Sequence, residues 1–207
     1  MNFLSKILGK PSKHSIETFV YYSPSTLHQD LQQLSPITHK NKDRVIESIR
    51  AITEEIIWSE QNSGDFFKYS LFRYVIECNL FRLFWNFLME VKIKEVHVQL
   101  IQTATMLIHN LNSNNCKSKE KIEYLLNTIF YREIVGFNFD FSDEEVVEIY
   151  MSMLKAFAIN LKPEVFAEFV TCNNFNVMNG AIMFMNYHES MIKIASRTVI
   201  LNVLSGN

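Results

Sequence analysis

Glycine and proline are scarce, with five and four residues in a chain of 207. Together they run at about a third of their usual share, which is near 12%. A β-sandwich or barrel needs turn chemistry about every 8–12 residues, so those folds are excluded with collagen-like and low-complexity chains. Five glycines also leave little backbone for a phosphate cradle, and neither Gly-x-x-x-x-Gly-Lys, Gly-x-Gly-x-x-Gly nor Gly-x-Ser-x-Gly occurs. Cysteine is equally thin. Cys78, Cys116 and Cys172 are odd in number and widely spaced, which fits unpaired thiols in a reducing compartment. Charge of one sign is not in excess either: 20 Lys+Arg stand against 22 Asp+Glu. No basic surplus is available to track a phosphate backbone, so nucleic acid is not the expected partner. No apolar run approaches the ~20 residues of a membrane span.

What is abundant is apolar bulk. Hydrophobic residues make up 48% of the chain and 17 are Phe, enough to fill a core. The periodicity is helical. Leu100, Ile101, Ala104, Leu107, Ile108 and Leu111 fall at amphipathic spacing, as do Val146, Tyr150, Met153, Leu154, Phe157, Ala158 and Leu161. Ser142-Asp143-Glu144-Glu145 precedes the second set and reads as a capping box with Ser142 as N-cap and Glu145 reaching back. Polar breaks at 35–41, 61–65, 112–118, 136–142, 171–176 and 186–188 divide the chain into helices over about 42–60, 65–90, 95–112, 118–135, 143–161 and 189–204. The 65–90 stretch carries a break signal near 77–79. Pro163 sits at a first helical position and opens a short helix over 164–170. No strand pattern is found. In the last helix Met191, Ile194, Ala195, Thr198 and Leu201 share a face while Ile192, Val199 and Val203 lie off it. Apolar residues on two sides predict burial between neighbours.

Four stretches in order resemble one family: Ile57-Trp58-Ser59-Glu60-Gln61-Asn62, Val98-Gln99-Leu100-Ile101-Gln102-Thr103, Phe139-Asp140-Phe141-Ser142-Asp143-Glu144-Glu145, and the segment from Glu189 to Thr198 continuing to Leu201-Asn202-Val203. Together they are similar to the FPL domain of the C-type-lectin-domain-containing 16A (Ema) family, over about 15–203. The family usually has proline before the last helix where His188 stands here. The resemblance implies an all-α, armadillo-like right-handed α–α superhelix of about eight to nine helices. It divides the chain into a lead segment, 1–14, and one FPL-type domain, 15–207. It implies a non-enzymatic adaptor in endosome–lysosome trafficking, autophagy and mitophagy, contacting trafficking tethers and ubiquitin-ligase machinery at the cytoplasmic face of those membranes. Family members carry a long further region. A free-standing copy of AT-rich composition raises the alternative of a pathogen effector that mimics the domain in the host cytosol.

No catalytic, cofactor or metal site is expected. The six histidines form neither His-x-x-x-His nor His-Glu-x-x-His, and Cys172 lies in a loop with nothing local to activate it. Candidate partner contacts are Trp58, Glu60, Gln61, Asp140, Glu189 and Arg197. Trp58 reads as core or as an interface anchor, with helical spacing favouring core. Arg197 reads as the ion-pair partner of Glu189 or Asp140, or of a partner's acid. Phe3, Leu4, Ile7 and Leu8, with Lys6 and Lys10 beside them, are a candidate for weak peripheral membrane contact; a first turn capping the core is the favoured alternative. Lys117, Lys119 and Lys121 are too few for a lipid-binding cluster and read as a solvated face.

Overall fold

In the computed structural model, residues 31–62, 77–111, 119–173 and 175–205 are described, with 29 and 75. All regular structure among them is helical. The elements are α1 (Lys42–Asn62), α2 (Leu80–Glu90), α3 (Lys94–Leu111), α4 (Lys119–Asn127), α5 (Ile129–Ile134), α6 (Glu144–Asn160), α7 (Pro163–Cys172), α8 (Asn176–Met183) and α9 (Ser190–Leu204).

Local chemistry sets the boundaries. Asn79 takes a left-handed conformation (φ 56°) before α2, which Asn tolerates better than most residues, so the anticipated break falls there. Pro163 opens α7 at a position where its missing N–H costs nothing. The helix expected over 118–135 is instead two. Thr128 adopts an extended conformation, and its hydroxyl donates to the Leu125 carbonyl at 2.7 Å. That local bond offers the backbone an alternative to helix. The turn lets Phe130 and Tyr131 both reach the core, where neither exposes any surface. The N-cap of α6 is one residue later than expected. Asp143, not Ser142, accepts from the Glu145 N–H at 3.0 Å, while the Ser142 hydroxyl donates to Asp140.

The long helices pack in one series: α1 on α3, α3 on α6 and α6 on α9. Their N-terminal ends share an edge. Lys42 of α1 pairs with Glu95 of α3. Lys94 of α3 lies 2.8 Å from both Asp143 and Glu145 at the start of α6. His188, just before α9, is 3.5 Å from Glu144. Further along, Arg50 meets Gln99 and Thr53 meets Thr103, so α1 and α3 run parallel. The chain returns between row members through α2, then α4 and α5, then α7 and α8. Buried hydroxyls tie returns to row: Tyr131 donates to Ala104 at 3.0 Å, Tyr150 to Val135 at 2.7 Å and Ser196 to Ala181 at 2.6 Å. Each gives a buried hydroxyl the acceptor that burial would otherwise deny it.

One expectation fails at the end of the row. α9 buries Ile192, Ala195, Ser196 and Val199, but Met191, Ile194 and Leu201 are exposed. α6, α7 and α8 cover only one side of this helix, so it is not buried between neighbours among the described residues.

Candidate functional site

The candidate contacts do not form one site. Trp58 is on α1, away from the stripe of Val45, Ile49, Ile52 and Ile56 that packs inward, and it is 48% exposed, which sets aside the core reading. Glu60 and Gln61 fall in the last turn of the same helix, and their side chains lie outside the described residues. Asp140 is in the loop before α6, and Glu189 and Arg197 belong to α9 at the opposite end of the row. The membrane candidates Phe3, Leu4, Lys6, Ile7, Leu8 and Lys10 lie outside the described residues, as does Lys117.

The proposed structural pairing of Arg197 is not realised. Asp140 turns inward on its own loop, accepting from the Ser142 N–H at 3.1 Å and the Ser142 hydroxyl at 2.6 Å. Those bonds to Ser142 hold its carboxyl below the ordinary Asp range. Glu189 is the N-cap residue of α9, and its side chain makes no capping bond. Arg197 faces outward and forms no ion pair among the described residues. Its position in i, i+3 and i+4 spacing shows the reason: Ile192, Ala195 and Val199 take the inward face, which leaves position 197 on the opposite side.

The N-terminal edge of the row has the densest electrostatics. The Lys94 ammonium is pushed up by bonds to Asp143 and Glu145, and the Asp143 carboxyl is pulled down by Lys94. Glu95 is pulled down by Lys42. Nothing in the sequence marked Lys94, because its partner Asp143 stands 49 positions away and Glu145 lies beyond it. His188 stands where the resemblance leads one to expect proline. Its ring lies 4.2 Å from that of Tyr187 and meets Glu144, so the turn gains a contact in place of a rigid residue.

Behind that edge runs a chain of rings. Trp85 meets Phe137, Phe137 meets Phe139, and Phe139 and Phe141 meet Tyr150. Phe184 and Tyr187 continue it towards His188. Alternation in the loop at Phe137, Phe139 and Phe141 thus stitches α2 and α3 to α6 and α8. His97 sits in this chain, with ring centroids 5.4 Å from Phe137 and 5.9 Å from Phe139. Burial lowers its pKa below 6.5, against the opposing help of the Val91 and Leu88 backbone, and its Nε2 has no partner among the described residues. The sign follows from linkage. The unfolded chain takes up the proton first, so the stability held by neutral His97 is complete above about pH 6.5 and is lost as pH falls through its lower folded value. Replacing His97 by Phe should therefore flatten the loss of stability between pH 7 and pH 5. Urea midpoints at the two pH values check this; an equal drop in both chains would contradict it.

Away from the row edge, a cleft of about 170 Å³ between α4 and α7 is lined by Glu123, Asn127, Glu168 and Cys172 with apolar neighbours. No three His, Cys, Asp or Glu side chains among the described residues are grouped to hold a metal ion. No helix among them is long and apolar enough to cross a membrane.

The fold thus defines a row of helices joined by packing and edge ion pairs. A family model for FPL, described as "Uncharacterised conserved protein", matches residues 49–204, and the chain belongs to that family. It is similar to human "Protein CLEC16A", 35% identical over 94% of this chain and 18% of the relative. It is also similar to the Drosophila melanogaster "Protein CLEC16A homolog", 30% identical over 94% of this chain and 17% of the relative. A plant relative, Arabidopsis thaliana "Protein TRANSPARENT TESTA 9", is 30% identical over 86% of this chain and 20% of its own length. The chain spans about a fifth of the length of these curated relatives. No solved structure matches.

Proposed function

We propose that the chain is a non-enzymatic protein-interaction scaffold with an armadillo-like, right-handed α–α superhelical fold, acting in endosome–lysosome trafficking and in autophagy, including mitophagy. One observation carries the scaffold reading: α1, α3, α6 and α9 pack in series with their N-termini on one edge. Stacked helical units of this kind gain stability from their neighbours and leave long faces open for partners. The trafficking assignment rests on the resemblance to the C-type-lectin-domain-containing 16A family and on membership of the FPL family. Trafficking tethers and ubiquitin-ligase components are the partners this reading implies, at the cytoplasmic face of endosomes and lysosomes. Imaging of the tagged full chain in cells tests it: the reading expects overlap with endosomal or lysosomal markers, and an even cytosolic distribution contradicts it.

Weak membrane contact by the lead segment is part of the same proposal, since Phe3, Leu4, Ile7 and Leu8 fall at helical spacing beside Lys6 and Lys10. Flotation with anionic liposomes should recover more of the full chain than of one starting at Ser12. Equal recovery would remove this contact from the account.

A further inference from the structure

We infer that the outer face of α9 is a docking seam for an acidic amphipathic helix of another protein, an inference that rests on the scaffold reading above. Opposite the buried Ile192, Ala195 and Val199, the helix presents Ile194, Arg197, Leu201 and Leu204. Their spacing of 3, 4 and 3 residues is the a/d alternation of a coiled-coil seam. Ile194 is 52% exposed, Leu201 65% and Leu204 69%, with Met191 beside them at 60%. Terminal units of stacked helical folds need a polar outer face to stay soluble. α9 ends the row among the described residues, yet its outer face is apolar. A covering helix would remove that surface from water, with neighbours at the spacing a helix can fill.

Arg197 decides which helix. It stands within the seam, between Ile194 and Leu201, and has no ion-pair partner among the described residues. Lys193 is one turn away and adds charge of the same sign. A polar residue in a seam selects the partner, because an uncompensated charge facing an apolar side chain or a like charge is costly. A second copy of this chain is therefore the wrong occupant. Antiparallel pairing about the middle of the seam sets each Arg197 against the other copy's apolar Leu201, and in-register parallel pairing sets Arg197 against Arg197. The lead segment of this chain is also of the wrong sign, since Lys6 and Lys10 accompany its apolar residues. The complement is a helix with apolar residues three and four apart and a carboxylate at the position facing Arg197.

The test uses the full chain and two synthetic helical peptides of roughly four heptads, with Leu at the a and d positions except one central d. That position is Glu in one peptide and Lys in the other. Fluorescence anisotropy should show the Glu peptide binding about tenfold tighter or more. Arg197→Glu should reverse the preference, and Leu201→Asp should weaken binding of the Glu peptide by a similar factor. Both positions are exposed, so circular dichroism and urea midpoints should match wild type. Equal affinity for the two peptides, or no reversal in Arg197→Glu, overturns the proposal. So does a wild-type dimer in sedimentation that Leu201→Asp dissolves, which would make the occupant a second copy. Flotation with phosphatidylserine vesicles that Leu201→Asp abolishes would make it lipid and overturns it equally. The peptide titration is independent of cellular location, so it can fail while the trafficking reading stands, and the reverse.

Discussion

Phe157→Ala is expected to cost about 3–5 kcal/mol, the range for removing a buried aromatic side chain and leaving its cavity. Phe157 has no exposed surface and lies in α6, the row member packed on both α3 and α9. Its ring centroid is 6.0 Å from that of Tyr131 and 5.4 Å from that of Phe169, so it joins the return helices α5 and α7 through the row. No small adjustment fills that volume, because the ring is held from two sides by other rings. For a chain of this size the loss corresponds to roughly 6–20 °C in melting temperature. Urea denaturation should show a lower midpoint with an unchanged slope. Leu201→Ala is the internal contrast: on the outer face of α9 it should change stability by about 0.5 kcal/mol or less. If the two substitutions cost the same, the assignment of α6 to the centre and of α9 to the edge is wrong.

Gly180→Ala should also destabilise, although alanine is intrinsically the better helix former by about 1 kcal/mol. Gly180 lies in α8, where it meets α6 closely. A Cβ there would collide with the Tyr150 hydroxyl and come within 3.2 Å of the Leu154 side chain. Tyr150 cannot easily retreat. Its hydroxyl donates to the Val135 carbonyl at 2.7 Å, and its ring packs against Phe139, Phe141 and Phe184. Burial also raises its pKa, so the hydroxyl remains a neutral donor across the working range. Overpacking typically costs about 1–3 kcal/mol, and a buried carbonyl left without its donor costs about 1–3 kcal/mol more. A net loss of about 2–4 kcal/mol is the expected result. Tyr150→Phe removes the colliding atom, so the double variant should be less destabilised than the sum of the singles. Strict additivity would show that the two residues do not meet.

Much of the helical framework was legible in the chain, and the reasons are local. Leu100, Ile101, Ala104, Leu107 and Ile108 all reach the core because a 3.6-residue period places them on one face. Pro163 and the polar breaks mark termini through backbone chemistry that depends on few neighbours. The misses are equally physical. Thr128 splits a continuous apolar pattern because its hydroxyl finds a carbonyl three residues back, which periodicity does not report. The choice between Ser142 and Asp143 as N-cap turns on which side chain Asp140 occupies. Two apolar sides on α9 predicted burial on both, yet helical spacing says nothing about a helix's place in a row. The partners of Lys94 and the solitude of Arg197 are non-local for the same reason. Six candidate contacts read from family-like stretches turned out to span the row from α1 to α9, since similarity marks segments and only the fold says which segments meet.

The most direct test of a trafficking scaffold is capture from eukaryotic cell lysate with the purified full chain, quantified against an unrelated helical protein of similar size and charge. The account predicts enrichment of endosome–lysosome trafficking or ubiquitin-ligase components, with at least one of them lost when Leu201→Asp alters the outer face of α9. Recovery of no such component above the control would contradict it.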